Sequence, residues 1–394
     1  MPQAVIAGAG STTFGRFPSS TVRSLASDAA RHALSDAGVA PDQIEQVYFS
    51  NAASGLLTGQ EMIRGQVALR DLGLSSVPVI NVENACASGS TAVHLAATAI
   101  AAGEADIVLV VGSEKLTHED KARTFAALGS AVDLERLDQV KADLYGEDLP
   151  TGDRSFFMDV YADMATTYMK QSGATASDFA AVAAKSHRHA ALNPYAAAPR
   201  TASAEEVAAS RHVSGPLTLL MCSPISDGAS AVVMMSEAKA RLLGLDRVVV
   251  RACTPASGLG ADDPVAVAAS RAYERAGIGP EDVDVVEVHD AASPAELIMY
   301  ETLGLCAPGD GPRLLASGDT AIGGRIPVNP SGGLVGKGHP VGATGVAQIV
   351  ELVEQLRGRG GHRQVSPARV ALAENGGGYL GPHPAAATIT ILSR

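Results

Sequence analysis

A cysteine at the turn from a strand into a helix is placed to act as a nucleophile, and Cys86 stands at such a turn within NVENACASGSTAVHLAATAIAAG, Asn81 to Gly103. Val77 to Val82 reads as a short buried strand, and Ala92 to Ala102 as alanine-rich helix stopped by Gly103. Ala85, Ala87, Ser88 and Gly89 leave room for another group to approach, and the unpaired amides and positive end of the helix favour a thiolate. Free cysteine is also among the most buried residue types, so simple packing is the competing reading of this stretch. A second arrangement of the same kind is Gly338-His339-Pro340-Val341-Gly342-Ala343-Thr344-Gly345. Here a glycine-flanked histidine precedes Pro340, which suits a first helical turn. Val346, Ile349, Val350 and Val353 then recur at helical spacing before Gly358. A third candidate, His289, follows the buried run Val285 to Val288 and so sits at a strand's end.

The elements that must position these groups form a repeat. Ala37 to Val47, AGVAPDQIEQV, matches Ala276 to Val286, AGIGPEDVDVV, in kind at nearly every place. Beyond it, Ser50-Asn51-Ala52-Ala53-Ser54 faces His289-Asp290-Ala291-Ala292-Ser293. The period is far too long for a solenoid and predicts two copies of one domain. In the first copy Ala4 to Ala7 is a strand, Val22 to Ala37 a helix and Val47 to Asn51 a strand; the Cys86 helix is then followed by strands at Ile107 to Val111 and Ala229 to Met235. In the second, the His339 helix is followed by Val370 to Ala373 and Thr388 to Leu392. Between the copies lies a stretch from Lys115 to Pro216 that carries Phe125, Tyr145, Phe156, Phe157, Tyr161, Tyr168 and Tyr195. Connections rarely run so long without a role, and it reads as a helical insertion over the site, shaping a substrate tunnel, or as an oligomer contact.

Composition bounds the class of protein. The chain has 394 residues, 46% of them hydrophobic, which suits a globular α/β protein of two or three domains. Its net charge of −12, without a basic run, argues against a nucleic-acid partner. Cys86, Cys222, Cys253 and Cys306 make no disulfide framework and show no metal-binding spacing, which suits a cytoplasmic location and no metal site. No charged leader with an apolar core opens the sequence, and no run of consecutive apolar residues is long enough to span a bilayer.

Taken together, NACASG at Cys86, SPISDGAS at Ser223 to Ser230, HDAA at His289, NPSGGLVGKGHPVGATG at Asn329 to Gly345 and NGGG at Asn375 to Gly378 resemble the thiolases, in particular the sterol-carrier-protein or lipid-transfer branch. The resemblance covers essentially the whole chain. It implies an α/β fold of two pseudo-symmetric βαβαβαββ halves in five layers. The halves would be 1–115 with 217–245 and 246–394, with an inserted loop domain at 116–216. It also implies acyl-coenzyme A chemistry through an acyl-cysteine at Cys86, with coenzyme A as substrate or product and no permanently bound cofactor. His339 would take the thiol proton, as a histidine with a pKa near its usual value of about 6.5 can at neutral pH. His289 would help hold a second oxyanion or its water. The amides of Cys86 and of a glycine among Gly376, Gly377 and Gly378 would bind the thioester oxygen.

Two departures stand against this pattern. The place of the usual second cysteine, two residues before the glycine triplet, holds Glu374, and the alternative place after the His-Asp pair holds Ala291. In one reading Glu374 is the replacement base, and thiolytic cleavage of a 3-ketoacyl thioester or the reverse Claisen condensation survives. In a second, the acyl group goes to another acceptor. In a third, the fold performs retro-aldol cleavage with Tyr379 as proton carrier, although an aldol cleavage needs no acyl-enzyme and Cys86 is retained. A scaffold that only binds lipid or a partner is the non-enzymatic alternative. The resemblance further implies a homodimer or larger assembly, and some relatives work with a separate small protein of oligonucleotide-binding fold with a zinc ribbon. Cys222, Cys253 and Cys306 lie outside these motifs and read as packing residues.

Overall fold

The computed structural model describes residues 3–145, 155–197 and 199–394; residues 146–154 and 198 of the predicted insertion lie outside the described residues. Nine strands form the main sheet: β1 (Ala4–Ser11), β2 (Gln46–Ser50), β3 (Val79–Val82), β4 (Ile107–Glu114), β5 (Gly228–Ser236), β6 (Val248–Ser257), β7 (Val285–Glu287), β8 (Val370–Gly377) and β9 (Ala386–Ser393), in the order β3-β2-β4-β5-β1-β6-β9-β8-β7. The order carries the repeat. In the first half β3 and β4 run parallel to β2, and β5 lies antiparallel between β4 and β1. In the second, β8 runs parallel to β7, and β9 lies antiparallel between β8 and β6. The place of β3 is taken there by a lone bridge between Val286 and Val328. Two residue pairs, Val5 with Val249 and Ile6 with Val248, join the halves at β1 and β6.

The repeated segments fold alike. Helix α1 (Val22–Ala37) ends at Gly38 with φ 63, and its counterpart Pro264–Ala276 ends at Gly277 with φ 67, the left-handed cap that glycine takes without a Cβ penalty. One-turn 3-10 helices then follow at Pro41–Gln43 and Pro280–Asp282.

Strand alternation sorts the core into layers, because neighbouring side chains point to opposite faces. Along β4, Ile107, Leu109 and Val111 pack with α1 on the outside, whereas Val108 and Val110 face inward. Along β8, Leu372 joins the outer core of the second half, and Ala371 and Ala373 face inward. The two inward faces enclose a pair of central helices, Ser88–Ala102 and Thr344–Leu356. Helix, sheet, helix pair, sheet, helix gives five layers. Each Val, Leu or Ile buried this way contributes about 1.5–3 kcal/mol. By length and composition Ala85–Ala102 would span a bilayer, with mean hydropathy 1.3, but its apolar faces are taken up between the two halves.

Two glycines set how closely the central helices cross. A Cβ on Gly89 would lie 2.8 Å from Val346 N, and one on Gly345 would lie 2.3 Å from Ser90 N, so backbone meets backbone. Between β4 and β5 the described chain is mainly helical, including Lys121–Gly129, Phe156–Ser172 and Ala176–Ala190, and it adds a two-stranded hairpin at His212–Ser214 and Leu217–Thr218.

Candidate active site

From β3 the chain enters a 3-10 turn, Ala85–Ala87, that runs directly into the first central helix, so helical structure begins earlier than the alanine run predicts. Ala85 adopts φ 48, a left-handed conformation that costs a residue with a Cβ about 1–3 kcal/mol. Ser88 holds the turn: its hydroxyl donates to Ala85 O at 2.6 Å and accepts from Asn84 N at 2.8 Å. Gly377 closes the other side, where a Cβ would come within 2.4 Å of Ala87 N and Asn84 O. The result is a cysteine fixed on the wall of a cavity of about 1080 Å³ shared with His289, His339, Glu374, Gly376, Gly377, Gly378 and Tyr379.

The electrostatics differ from the sequence expectation. Burial pushes the Cys86 thiol up to about 12, outweighing the amides of Gly378 and of Cys86 itself that favour the charged form; Glu114 adds to the rise. Helix-end stabilisation of about 0.3–1 kcal/mol is too small to reverse this. The resting nucleophile is therefore a thiol, and it needs a base.

His339 answers that need. It lies in the segment before a second 3-10 turn, Val341–Ala343, which leads into the other central helix. Pro340, expected inside the first helical turn, is instead extended and precedes it. Thr344, which the sequence reading passed over, fixes the imidazole: its Oγ1 lies 2.7 Å from His339 Nδ1 and donates to Pro340 O at 3.1 Å. With the threonine proton committed to the carbonyl, Nδ1 carries the hydrogen and Nε2 keeps its lone pair. Burial and the neighbouring His289 hold His339 well below the usual histidine range, so it stays neutral. The His289 and His339 rings meet edge to face at 5.0 Å. One ligand atom each from Cys86, His289 and His339 lie within 4.8 Å of one another.

His289 follows β7, and its main-chain N–H donates to Glu374 Oε2 at 2.8 Å. Burial pushes its imidazole down to about 4, and its Nε2 is buried without a hydrogen-bond partner. Glu374, on β8, is pushed up to about 8 by burial against the pull of that N–H, and Asp263 raises it further. No ion pair among the described residues holds it. Ala291 is buried on the same wall, so the two places expected for a second cysteine hold a carboxyl group and a methyl group.

The glycine triplet divides its tasks. Gly378 has φ 68 and brings its amide to the Cys86 sulfur. The Tyr379 N–H is taken by Ala131 O at 2.9 Å, which leaves its phenol as the group that lines the cavity. Two further residues are there that the sequence motifs did not mark. Tyr161, from the helix Phe156–Ser172, lines the cavity; burial holds its phenol protonated, reinforced by Cys86, Glu374 and Asp290. Cys222, expected to be packing, is also on the wall, its thiol pushed up to about 12 by burial.

Known proteins share this plan. The thiolase N-terminal domain model matches residues 4–238, and the thiolase C-terminal domain-like model matches residues 253–394. The benzoylsuccinyl-CoA thiolase subunit BbsB of Thauera aromatica is 39% identical over 95% of this chain and 94% of its own length. The acetyl-CoA acetyltransferase of Methanothermobacter thermautotrophicus is 38% identical over 100% of both chains. Bovine sterol carrier protein 2 is 38% identical over 89% of this chain and 65% of its own. Among solved structures, an Ltp2-ChsH2(DUF35) aldolase superposes with TM-score 0.79 at 26% identity, covering 99% of this chain and 97% of that one. The chain is a member of the thiolase superfamily, of its sterol-carrier-protein-type branch, and an acyltransferase.

Proposed function

We propose that the protein cleaves a 3-ketoacyl-CoA thiolytically, or condenses acyl-CoAs in reverse, through an acyl group on Cys86. The observation that carries this reading is the convergence of Cys86, His289 and His339 within 4.8 Å on the wall of a cavity shared with Glu374. His339 Nε2 takes the Cys86 proton as the sulfur attacks the 3-keto carbon, whose oxygen is received by a water molecule that donates to it and to the lone pair of His289 Nε2. The bond between carbons 2 and 3 breaks, and the electron pair left on carbon 2 takes the proton of Glu374, which is still protonated below pH 8. The acyl group remains on Cys86 with its oxygen against the amides of Cys86 and Gly378. Coenzyme A then attacks that carbonyl, its thiol proton passes to the Glu374 carboxylate, and the departing Cys86 sulfur recovers its proton from His339. Every group returns to its resting state.

A sizeable acyl group fits the cavity, whose apolar wall includes Phe125, Leu128, Phe157, Met158 and Ile298. At its rim, Arg16 and Lys121 are exposed and free of ion pairs among the described residues, placed to meet phosphates of coenzyme A. Strand β3 is a sheet edge whose Val79 and Ile80 are only partly buried, which favours a homodimer. Incubation with acyl-CoA and 3-ketoacyl-CoA thioesters, followed by intact-mass measurement, tests the reading. An acyl adduct that is lost in Cys86→Ser is expected; an adduct that survives the substitution overturns it.

The likeness to an aldolase supports a second reading, retro-aldol cleavage with the Tyr379 phenol carrying the proton. That aldolase is named for both Ltp2 and ChsH2(DUF35), and a separate small partner protein is accordingly part of this alternative. Product formation from a 3-hydroxyacyl thioester by Cys86→Ser, without any adduct on the native enzyme, would establish it.

A further inference from the structure

The sequence offers no metal-binding spacing, yet the fold assembles one thiol and two imidazoles from three separate segments. We propose that Cys86 Sγ, His289 Nε2 and His339 Nε2 form a binding site for zinc ion, and that zinc there blocks the enzyme by occupying its nucleophile. One sulfur and two imidazole nitrogens suit Zn²⁺ and exclude the hard cations Mg²⁺ and Ca²⁺, which take oxygen. Tetrahedral bonds of about 2.3 Å to sulfur and about 2.0–2.1 Å to nitrogen place ligand atoms roughly 3.5 Å apart. One ligand atom from each of the three residues already lies within 4.8 Å of the other two, so the remaining approach is a matter of side-chain rotation.

Two observations point to a ligand independently of that proximity. His289 Nε2 is buried and has no partner, on a residue only 8% exposed, an arrangement that leaves a lone pair waiting for a donor or an electrophile. His339 is oriented as metal-bound imidazoles are, with Nδ1 donating to Thr344 Oγ1 and Nε2 left bare. Binding replaces the thiol proton: Zn²⁺ and Cys86-SH give the zinc thiolate, and one proton passes to buffer. The fourth position faces the cavity and takes water or an incoming thiol. Metal binding stands on geometry alone, whereas its inhibitory effect rests on the acyl-transfer reading.

The test uses the full-length, chelator-treated enzyme without substrate. Titration with Co²⁺ as a probe should give one equivalent bound per chain, with a thiolate-to-cobalt charge-transfer band and intense tetrahedral transitions in the visible. Zn²⁺ should displace it. Cys86→Ser and alkylation of Cys86 in the native enzyme should each abolish the band, the second route guarding against misfolding of the variant. Thr344→Val should weaken binding by about ten- to a hundredfold, the usual effect of losing an imidazole's outer partner, and His289→Ala by more. An octahedral spectrum without charge transfer, or binding that survives alkylation, overturns the site. With binding established, equimolar Zn²⁺ should stop acylation of Cys86 by a thioester and a chelator should restore it. Acylation that proceeds with zinc bound overturns the inhibitory role.

Discussion

The two halves deliver their reactive residues by the same device, a 3-10 turn at the mouth of a central helix, but into unlike surroundings. In the second half every residue from 326 to 353 is buried, and His339 is held by Thr344 inside that mass. In the first, Asn81, Glu83 and Asn84 are exposed, and Cys86 stands after a left-handed alanine. The base is thus preorganised within a solid core, while the nucleophile sits where substrate arrives. Duplication supplied the common frame, and burial divided the labour.

Substitutions on each side sharpen this contrast. Gly345→Ala forces a Cβ to 2.3 Å from Ser90 N between two buried helices, so loss of the cooperative folding transition is expected in thermal denaturation. Glu374→Gln should slow cleavage of a 3-ketoacyl thioester by about 10²–10⁴-fold, while acylation of Cys86 by a simple acyl thioester remains. Because the protonated acid is required for cleavage, the native rate should fall as pH rises through about 8, and single-turnover profiles of the variant should lack that limb. A falling limb that persists would remove Glu374 from the step. His339→Ala should slow acylation by about a hundredfold or more, and Thr344→Val by about tenfold, as read by stopped flow. Equal rates in all three would show that the buried half does not activate the thiol. The smallest effect is expected for Ala85→Gly, which relieves the left-handed strain and should raise stability by up to about 1 kcal/mol in denaturant titration. A loss of stability there would mean that the first half carries no strain beside its nucleophile.

Much of the frame was legible because it rests on local patterns. The Pro-containing segments at Pro41 and Pro280 exposed the duplication, and Val22–Ala37 was readable to the residue from its spacing and Gly38. Cys86, His339 and the glycine triplet stood out because glycine clusters mark close backbone approach. What sequence could not convey were terms that depend on enclosure. The thiol's rise to about 12, the neutral His339 and the Glu374 shift arise mainly from burial, which no short window contains. Thr344 escaped notice because its role requires the imidazole to turn back over a 3-10 turn, and Pro340 was misplaced for the same reason. The lone Val286–Val328 bridge shows the limit of the repeat itself: the matched sequence stops before the place of β3, and so does the matched sheet.

The contact of Gly89 and Gly345 also bears on how this protein tolerates change over generations. Since main chain rather than side chain spaces the two helices, the separation of Cys86 from His339 is indifferent to which aliphatic residues fill the layers outside them. Drift can remodel the cavity wall, and with it the choice of substrate, while the spacing of the reacting atoms is inherited unchanged.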